Sequence, residues 1–143
     1  MIKIQKALVS VSNKENLKPL LNNLSKYKVE IISSGGTYKK IRKLGFKCIQ
    51  LSEFTNTPEI LNGRVKTLHP KIYGGILNDR NNKKHYKEIK KNNYENIDLI
   101  VANFYPFEDA LSKKLNHNKI IENIDIGGPT VVRAAAKNYN DVV

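Results

Sequence analysis

The stretch Val29-Glu30-Ile31-Ile32-Ser33-Ser34-Gly35-Gly36-Thr37-Tyr38-Lys39-Lys40-Ile41-Arg42-Lys43-Leu44-Gly45 decides the fold. Its opening residues, Val29 to Ser33, are largely β-branched and apolar and predict a strand; Ser34-Gly35-Gly36-Thr37 is the turn that follows. Tyr38, Ile41 and Leu44 then recur at helical spacing, and Gly45 is suited to ending the helix. A strand that passes through a glycine turn straight into a helix is half of a β-α-β unit, and such units build parallel sheets. Toward the amino terminus, Lys6 to Ser10 reads as an earlier strand, and Leu17, Leu20, Leu21 and Leu24 form one helical face with Pro19 in its first turn. Toward the carboxyl end come a third strand, Lys47 to Leu51, a loop-rich segment to about Leu77, and a helix, Lys83 to Lys91. The run Ile97 to Tyr105 is apolar enough for a strand buried on both faces, and Pro106 ends it. Glu108 to Leu115 and Lys119 to Asn123 predict short helices, and Gly127-Gly128-Pro129 opens a longer one reaching Lys137. Asp141-Val142-Val143 reads as the start of another strand. The expectation is one α/β domain over residues 1–143, mainly parallel, with helices on both faces of the sheet and truncated at its carboxyl end.

Composition narrows the function. The chain has 143 residues, 25 Lys plus Arg against 13 Asp plus Glu, and a formal charge of +12. With a single cysteine, Cys48, neither an internal disulfide nor a cysteine-rich metal site is available. No secretory signal is read at the amino terminus, and Asp98 and Asn103 interrupt the most apolar run, so no membrane span is expected. The charge invites a nucleic-acid reading. Against it, the basic residues are nearly all Lys, alongside abundant Asn and Ile, the signature of an A/T-rich genome. The densest cluster, Lys83 to Lys91, contains one aromatic, Tyr86, where stacking on bases wants several. A partner other than nucleic acid is expected. The four arginines, Arg42, Arg64, Arg80 and Arg133, are then informative.

Two strand-to-helix junctions, Ser10-Val11-Ser12-Asn13-Lys14 and Ser33-Ser34-Gly35-Gly36-Thr37, fall on the same edge of a parallel sheet. Free N–H groups at a helix start attract an anion, glycines permit close approach, and hydroxyls with a lysine complete a phosphate pocket. Taken singly, each junction reads better as an ordinary helix cap, and neither is a Walker A loop. Together they favour a phosphate-bearing ligand. A second constellation comprises Arg64, Lys66, Thr67, Tyr105, Asp125 and Lys137. Each member has a plain structural alternative: a surface Arg or Lys, a core Tyr, an Asp complementing the following helix dipole, a Lys at that helix's far end.

Read as a set, Ser10-Val11-Ser12-Asn13-Lys14, Ser34-Gly35-Gly36-Thr37, Gly63-Arg64-Val65-Lys66-Thr67-Leu68-His69-Pro70-Lys71, Asn103-Phe104-Tyr105-Pro106-Phe107 and Glu122-Asn123-Ile124-Asp125-Ile126-Gly127-Gly128-Pro129 occur in the order of a known family. From about Lys6 to Val143 the chain closely resembles the amino-terminal IMP cyclohydrolase domain of the bifunctional purine biosynthesis enzyme. The resemblance implies a methylglyoxal-synthase-like fold and closure of 5-formamidoimidazole-4-carboxamide ribotide (FAICAR) to inosine monophosphate (IMP) with loss of water. It implies no cofactor and no metal, a homodimer, and a cytoplasmic location. The implied catalytic residues are Lys66, Tyr105, Asp125 and Lys137. Ser12, Asn13, Lys14, Ser34, Gly35, Gly36 and Thr37 would hold the ribose phosphate, and Arg64, Thr67, Asn103 and Gly127 the base or its carboxamide. The formyltransferase domain that follows in that family has no counterpart in these residues. The rival readings are a non-catalytic nucleotide-sensing module of the same fold, as in carbamoyl-phosphate synthetase, an RNA-binding domain, and methylglyoxal synthase itself.

Overall fold

A computed structural model describes residues 3–143. The strands are β1 (Lys6–Ser10), β2 (Glu30–Ser33), β3 (Ile49–Gln50) and β4 (Leu99–Ala102), and they form one parallel sheet in the order β3-β2-β1-β4. Around them lie α1 (Leu17–Lys26), α2 (Gly35–Lys43), α3 (Leu51–Thr55), α4 (Pro70–Leu77), α5 (Lys83–Lys91), α6 (Phe107–Ser112), α7 (His117–Glu122) and α8 (Gly127–Lys137).

Strand alternation sorts the core into two layers. Ala7 and Val9 of β1 and Ile31 of β2 face one way and pack with Leu17, Leu21 and Leu24 of α1 and Ile41 of α2. Leu8 and Ile32, one residue on, face the other way and pack with Leu51 and Phe54 of α3, Ile72 and Ile76 of α4, and Val131, Ala134 and Ala135 of α8. The register Ala7↔Ile31 and Leu8↔Ile32 keeps both sets coherent across the central strands. Helices therefore cover both faces, as the continuous apolar strands require.

The chain moves from β1 to β2 to β3 in one direction and then returns to place β4 on the other side of β1. The gap between the carboxyl ends of β1 and β4 is thus a topological switch point, where open α/β sheets place their ligands.

Three expectations need correction. The strand predicted over Lys47 to Leu51 is confined to the two residues of β3, and Leu51 instead opens α3, its side chain buried in the core. The segment predicted as loop-rich to Leu77 holds α3, a 3-10 turn at Leu61–Gly63, and α4. His69 caps α4 by accepting the Lys71 N–H on Nδ1 at 3.1 Å, Pro70 occupies the first turn, and Ile72 and Ile76 supply the buried i, i+4 pair. Its two glycines mask the helix in the sequence, yet packing requires Gly75: a Cβ there would lie 2.4 Å from the Glu95 carbonyl oxygen. The strand predicted over Ile97 to Tyr105 is confined to Leu99–Ala102 and is half-buried, because β4 has one strand partner, β1, in the sheet. Asp98, within that apolar run, is buried: its carboxylate accepts the Gln5 and Lys6 N–H groups at 2.7 and 2.9 Å and pairs with Arg80 at 2.8 Å. Asn103, Phe104 and Tyr105 lie beyond the strand and are exposed.

The strand start expected at Asp141-Val142-Val143 is reduced to one residue: Asp141 and Val142 close a turn by donating their N–H groups to the Asn138 carbonyl, both at 3.0 Å, and Val143 alone reaches β4. Val143 donates its N–H to the Asp98 oxygen at 2.9 Å and accepts the Ile100 N–H at 2.8 Å, the bond pair of a single parallel bridge beside β4.

Candidate functional site

At the carboxyl ends of β1, β2 and β4 lies a cleft of about 550 Å³, within the range of small-molecule sites. Its walls come from segments far apart in sequence: the β1–α1 turn, the start of α2, the loop 62–67, the residues after β4, and 121–128 leading into α8. Among the described residues, no three His, Cys, Asp or Glu side chains gather as a metal centre would need. No helix there is long and apolar enough to cross a membrane.

The floor is built by reciprocal hydrogen bonds between the two glycine- and serine-bearing junctions. Thr37 is buried; its hydroxyl donates to the Val11 carbonyl at 2.8 Å and accepts the Val11 N–H at 3.3 Å. Ser33 ties β2 to β1 by donating to the Val9 carbonyl at 2.7 Å. On the other side of β1, Asn103 Oδ1 accepts the N–H groups of Ser12 and Asn13 at 2.6 and 3.0 Å, while its Nδ2 donates to the Asn13 carbonyl at 2.8 Å. Both ends of the Asn103 amide are thereby committed to shaping the turn. Asn13 does not line the cleft: its side chain accepts the Glu15 N–H at 2.9 Å and donates to the Glu15 carboxylate at 3.1 Å. The structure thus places Asn13 in the turn beside the cleft and outside its lining.

Above this floor the cleft is an anion cradle. Ser34 precedes α2 in extended geometry and is buried, and Gly35 follows at φ +51°, which suits a residue without Cβ. This places the first N–H groups of α2, those of Gly35, Gly36 and Thr37, at the cleft, with the positive end of the helix dipole behind them. Lys14 reaches over the same spot, its Nζ donating to the Val11 and Ser12 carbonyls at 3.2 and 2.9 Å and its chain lying 3.7 Å from the position of a Gly36 Cβ. Lys66 comes from the opposite wall: its Nζ would be 3.6 Å from a Cβ on Gly35 and 3.9 Å from one on Gly63. Among the described residues no carboxylate pairs with Lys66 or with Lys14. Two ammonium groups thus converge on one helix start.

The far wall is the start of α8. Asp125 Oδ1 accepts the Gly128 N–H at 3.0 Å and its Oδ2 accepts the Tyr105 N–H at 3.2 Å, so the carboxylate caps the helix and fixes the loop that carries Tyr105. Thr67 is buried against Gly127, where a Cβ would approach its Oγ1 to 2.6 Å. A Cβ on Gly128 would meet Asp125 Oδ2 at 2.8 Å and the Phe104 ring at 2.9 Å. The paired glycines are therefore a steric requirement of the site. At the mouth, Arg64 is held by the carboxylate of Glu122, whose hydrogen bond and charge push the guanidinium above its ordinary pKa.

Of the expected site residues, Ser12, Lys14, Ser34, Gly36, Thr37, Arg64, Lys66, Thr67, Asn103, Tyr105, Asp125 and Gly127 line this one cleft, and Gly35 abuts it beneath Lys66. Lys137 does not. It is exposed in the last turn of α8, ten residues from the cleft end of the helix, or about 15 Å at helical rise. The expected four-group convergence is a convergence of three. Glu122 and Gly128 carry no functional signal of their own in the sequence, although both fall within the Glu122 to Pro129 motif; the partnership of Glu122 with Arg64 spans 58 positions and has no local signal.

Comparison with known proteins agrees with this fold. Residues 16–130 match the model of the MGS-like domain. The chain is 51% identical over 140 residues to the bifunctional purine biosynthesis protein PurH of Clostridium acetobutylicum, covering 98% of this chain and 28% of that protein. It is 49% identical over 140 residues to its Bacillus subtilis namesake, covering 97% of this chain and 27% of that one. The crystal structure of ForH superposes with a TM-score of 0.82 at 29% identity, over 99% of this chain and 72% of that one. The chain thus spans little more than a quarter of the length of these curated relatives. A parallel sheet flanked by helices, its cleft at the switch point, and a family match over residues 16–130 lead to one conclusion: this chain belongs to the MGS-like domain family.

Proposed function

We propose that the cleft binds FAICAR and closes it to IMP, the cyclohydrolase step of purine biosynthesis. The observation that carries the reading is the meeting of Lys66, Tyr105 and Asp125 in one cleft with the anion-attracting start of α2 and Lys14. It is supported by the near-50% identity to PurH proteins. The reading carries with it the homodimer and cytoplasmic location that the resemblance implies.

The reaction needs little more than positioning and charge. Both reacting groups sit on adjacent ring carbons, so holding their rotamers together supplies much of the acceleration. The carboxamide nitrogen attacks the formyl carbon, forming the new C–N bond, and gives its proton to Asp125. Lys66 stabilises the developing oxyanion, which Tyr105 protonates to a hydroxyl. The formamido nitrogen then gives its N–H proton back to the Tyr105 phenolate and forms the ring C=N bond, while the C–O bond breaks and the hydroxyl leaves as water with the proton held on Asp125, so that both side chains return to their starting states. The ribose phosphate lies on the α2 start with Lys14. Arg64 and Thr67 face the base. Lys137 is given no part in these steps.

The test follows ultraviolet absorbance as FAICAR is mixed with purified chain. Acceleration is expected, and Lys66→Ala should lower it by about 10²- to 10³-fold, the usual loss on removing an oxyanion donor. A folded chain without acceleration would sink the reading. The nucleotide-sensing alternative gains from the engagement of both Asp125 oxygens by backbone N–H groups and from the remoteness of Lys137. It predicts IMP binding without cyclisation.

A further inference from the structure

We propose that Glu122 is a resident counter-ion, whose carboxylate occupies Arg64 at the cleft mouth and is displaced when a ligand's acceptor oxygens engage that guanidinium. The inference rests on the reading that the cleft takes a nucleotide.

The pair joins two walls of the cleft, the loop after the 3-10 turn and the end of α7, and both side chains line it. Its place matters because of what the other charged groups do. Lys14 donates to backbone carbonyls, and Asp125 accepts from backbone N–H groups. Among the described residues, Glu122 is the carboxylate that ion-pairs inside this cleft.

The pair is also built to exchange. Its side chains are 62% and 59% exposed, so water competes for both charges and the contact is weak. Neither support is rigidly packed. α7 has no buried residue, and the loop leading to Arg64 places Leu61, Asn62 and Gly63 in succession at φ +51°, +54° and +82°. Leucine at positive φ is strained, so this segment has reason to move. A guanidinium released there presents its planar fork to a carboxylate, a phosphate or a carboxamide oxygen. The chemical class facing Arg64 is therefore a group that accepts hydrogen bonds; a donor-only group would leave Glu122 in place.

Two readouts on Glu122→Gln test this. The first needs no ligand. Phenylglyoxal, a guanidine-selective dicarbonyl, is applied and each of the four arginines is followed by peptide mass mapping, with exposed Arg133 as internal reference. The Arg64-to-Arg133 rate ratio should rise by about two- to five-fold in the variant, the range expected for releasing an exposed ion pair. The second is calorimetric titration with IMP, where the variant should bind about two- to five-fold more tightly, because the competitor is gone. An unchanged rate ratio, or an unchanged or weakened IMP affinity, would overturn the proposal. If IMP binds neither protein, the nucleotide reading falls, and the phenylglyoxal ratio alone decides whether Glu122 shields Arg64.

Discussion

Gly128→Ala sets two physical effects against each other at the wall of the cleft. Gly128 is the second residue of α8 and is buried. By helix propensity alone, replacing Gly with Ala in a helix is stabilising by up to about 1 kcal/mol. The surroundings oppose it: the new methyl would stand 2.8 Å from Asp125 Oδ2, 2.9 Å from the Phe104 ring and 3.3 Å from Asp125 Cγ. Relieving these contacts means pushing the carboxylate off the Gly128 and Tyr105 N–H groups. Overpacking typically costs about 1–3 kcal/mol and loss of a helix cap about 1 kcal/mol more, so the clash outweighs the propensity gain. A net loss of about 1–3 kcal/mol lowers Tm by roughly 3–10 °C at this chain length. Thermal unfolding followed by circular dichroism reads it directly. The same substitution in an Asp125→Ala background should cost less, since the nearest obstacle is gone. A variant as stable as the wild type, or more so, would refute the steric account of the glycine pair.

Two further outcomes are expected away from the cleft. Asp98→Ala strips a buried carboxylate from Arg80 and from the Gln5 and Lys6 N–H groups and should lower unfolding stability by about 3–5 kcal/mol in urea; a loss below about 1 kcal/mol would contradict the importance of that pair. Burial pushes the Cys48 thiol from 9.0 up to about 11, against the smaller opposing effect of the Arg42 charge. The folded state therefore favours the neutral thiol, and that stabilisation is present below pH 9 and lost as pH rises toward 11. The urea midpoint should fall across that window by more in the wild type than in Cys48→Ala; parallel profiles would contradict it.

How much was legible in the sequence depends on whether the signal was local. The strand Lys6–Ser10, the helix with Leu17, Leu21 and Leu24, the Ser-Gly-Gly-Thr junction and the helix opening at Gly127 were readable because each carries its own periodicity and turn chemistry. α4 was hidden because Gly74 and Gly75 argue against a helix, while their cause, the close approach of the 94–97 segment, is tertiary. The extent of β4 was overestimated because an apolar run does not distinguish a strand from aromatic residues that continue beyond it beside a cleft. Within the site, hydroxyl and glycine positions were accessible through motifs. What Asn13, Asn103 and Thr37 do with their polar groups was not, since their partners lie 26 to 91 positions away or, for Asn13, turn locally to Glu15. Lys137 shows the reverse limit: a residue implied by the resemblance, at the far end of an eleven-residue helix, is carried away from this cleft by the helical rise itself.

The central claim is that the carboxyl edge of the sheet, at the starts of α2 and α8, is a nucleotide site. Amide chemical-shift mapping of isotope-labelled chain titrated with IMP tests it most directly. The account predicts saturable shifts at Ser12, Gly35, Gly36, Thr37, Thr67 and Gly127, and none at Arg80, Asp98 or Asp141 on the opposite edge. Shifts confined to that opposite edge, or none at any IMP concentration for a folded chain, would contradict it.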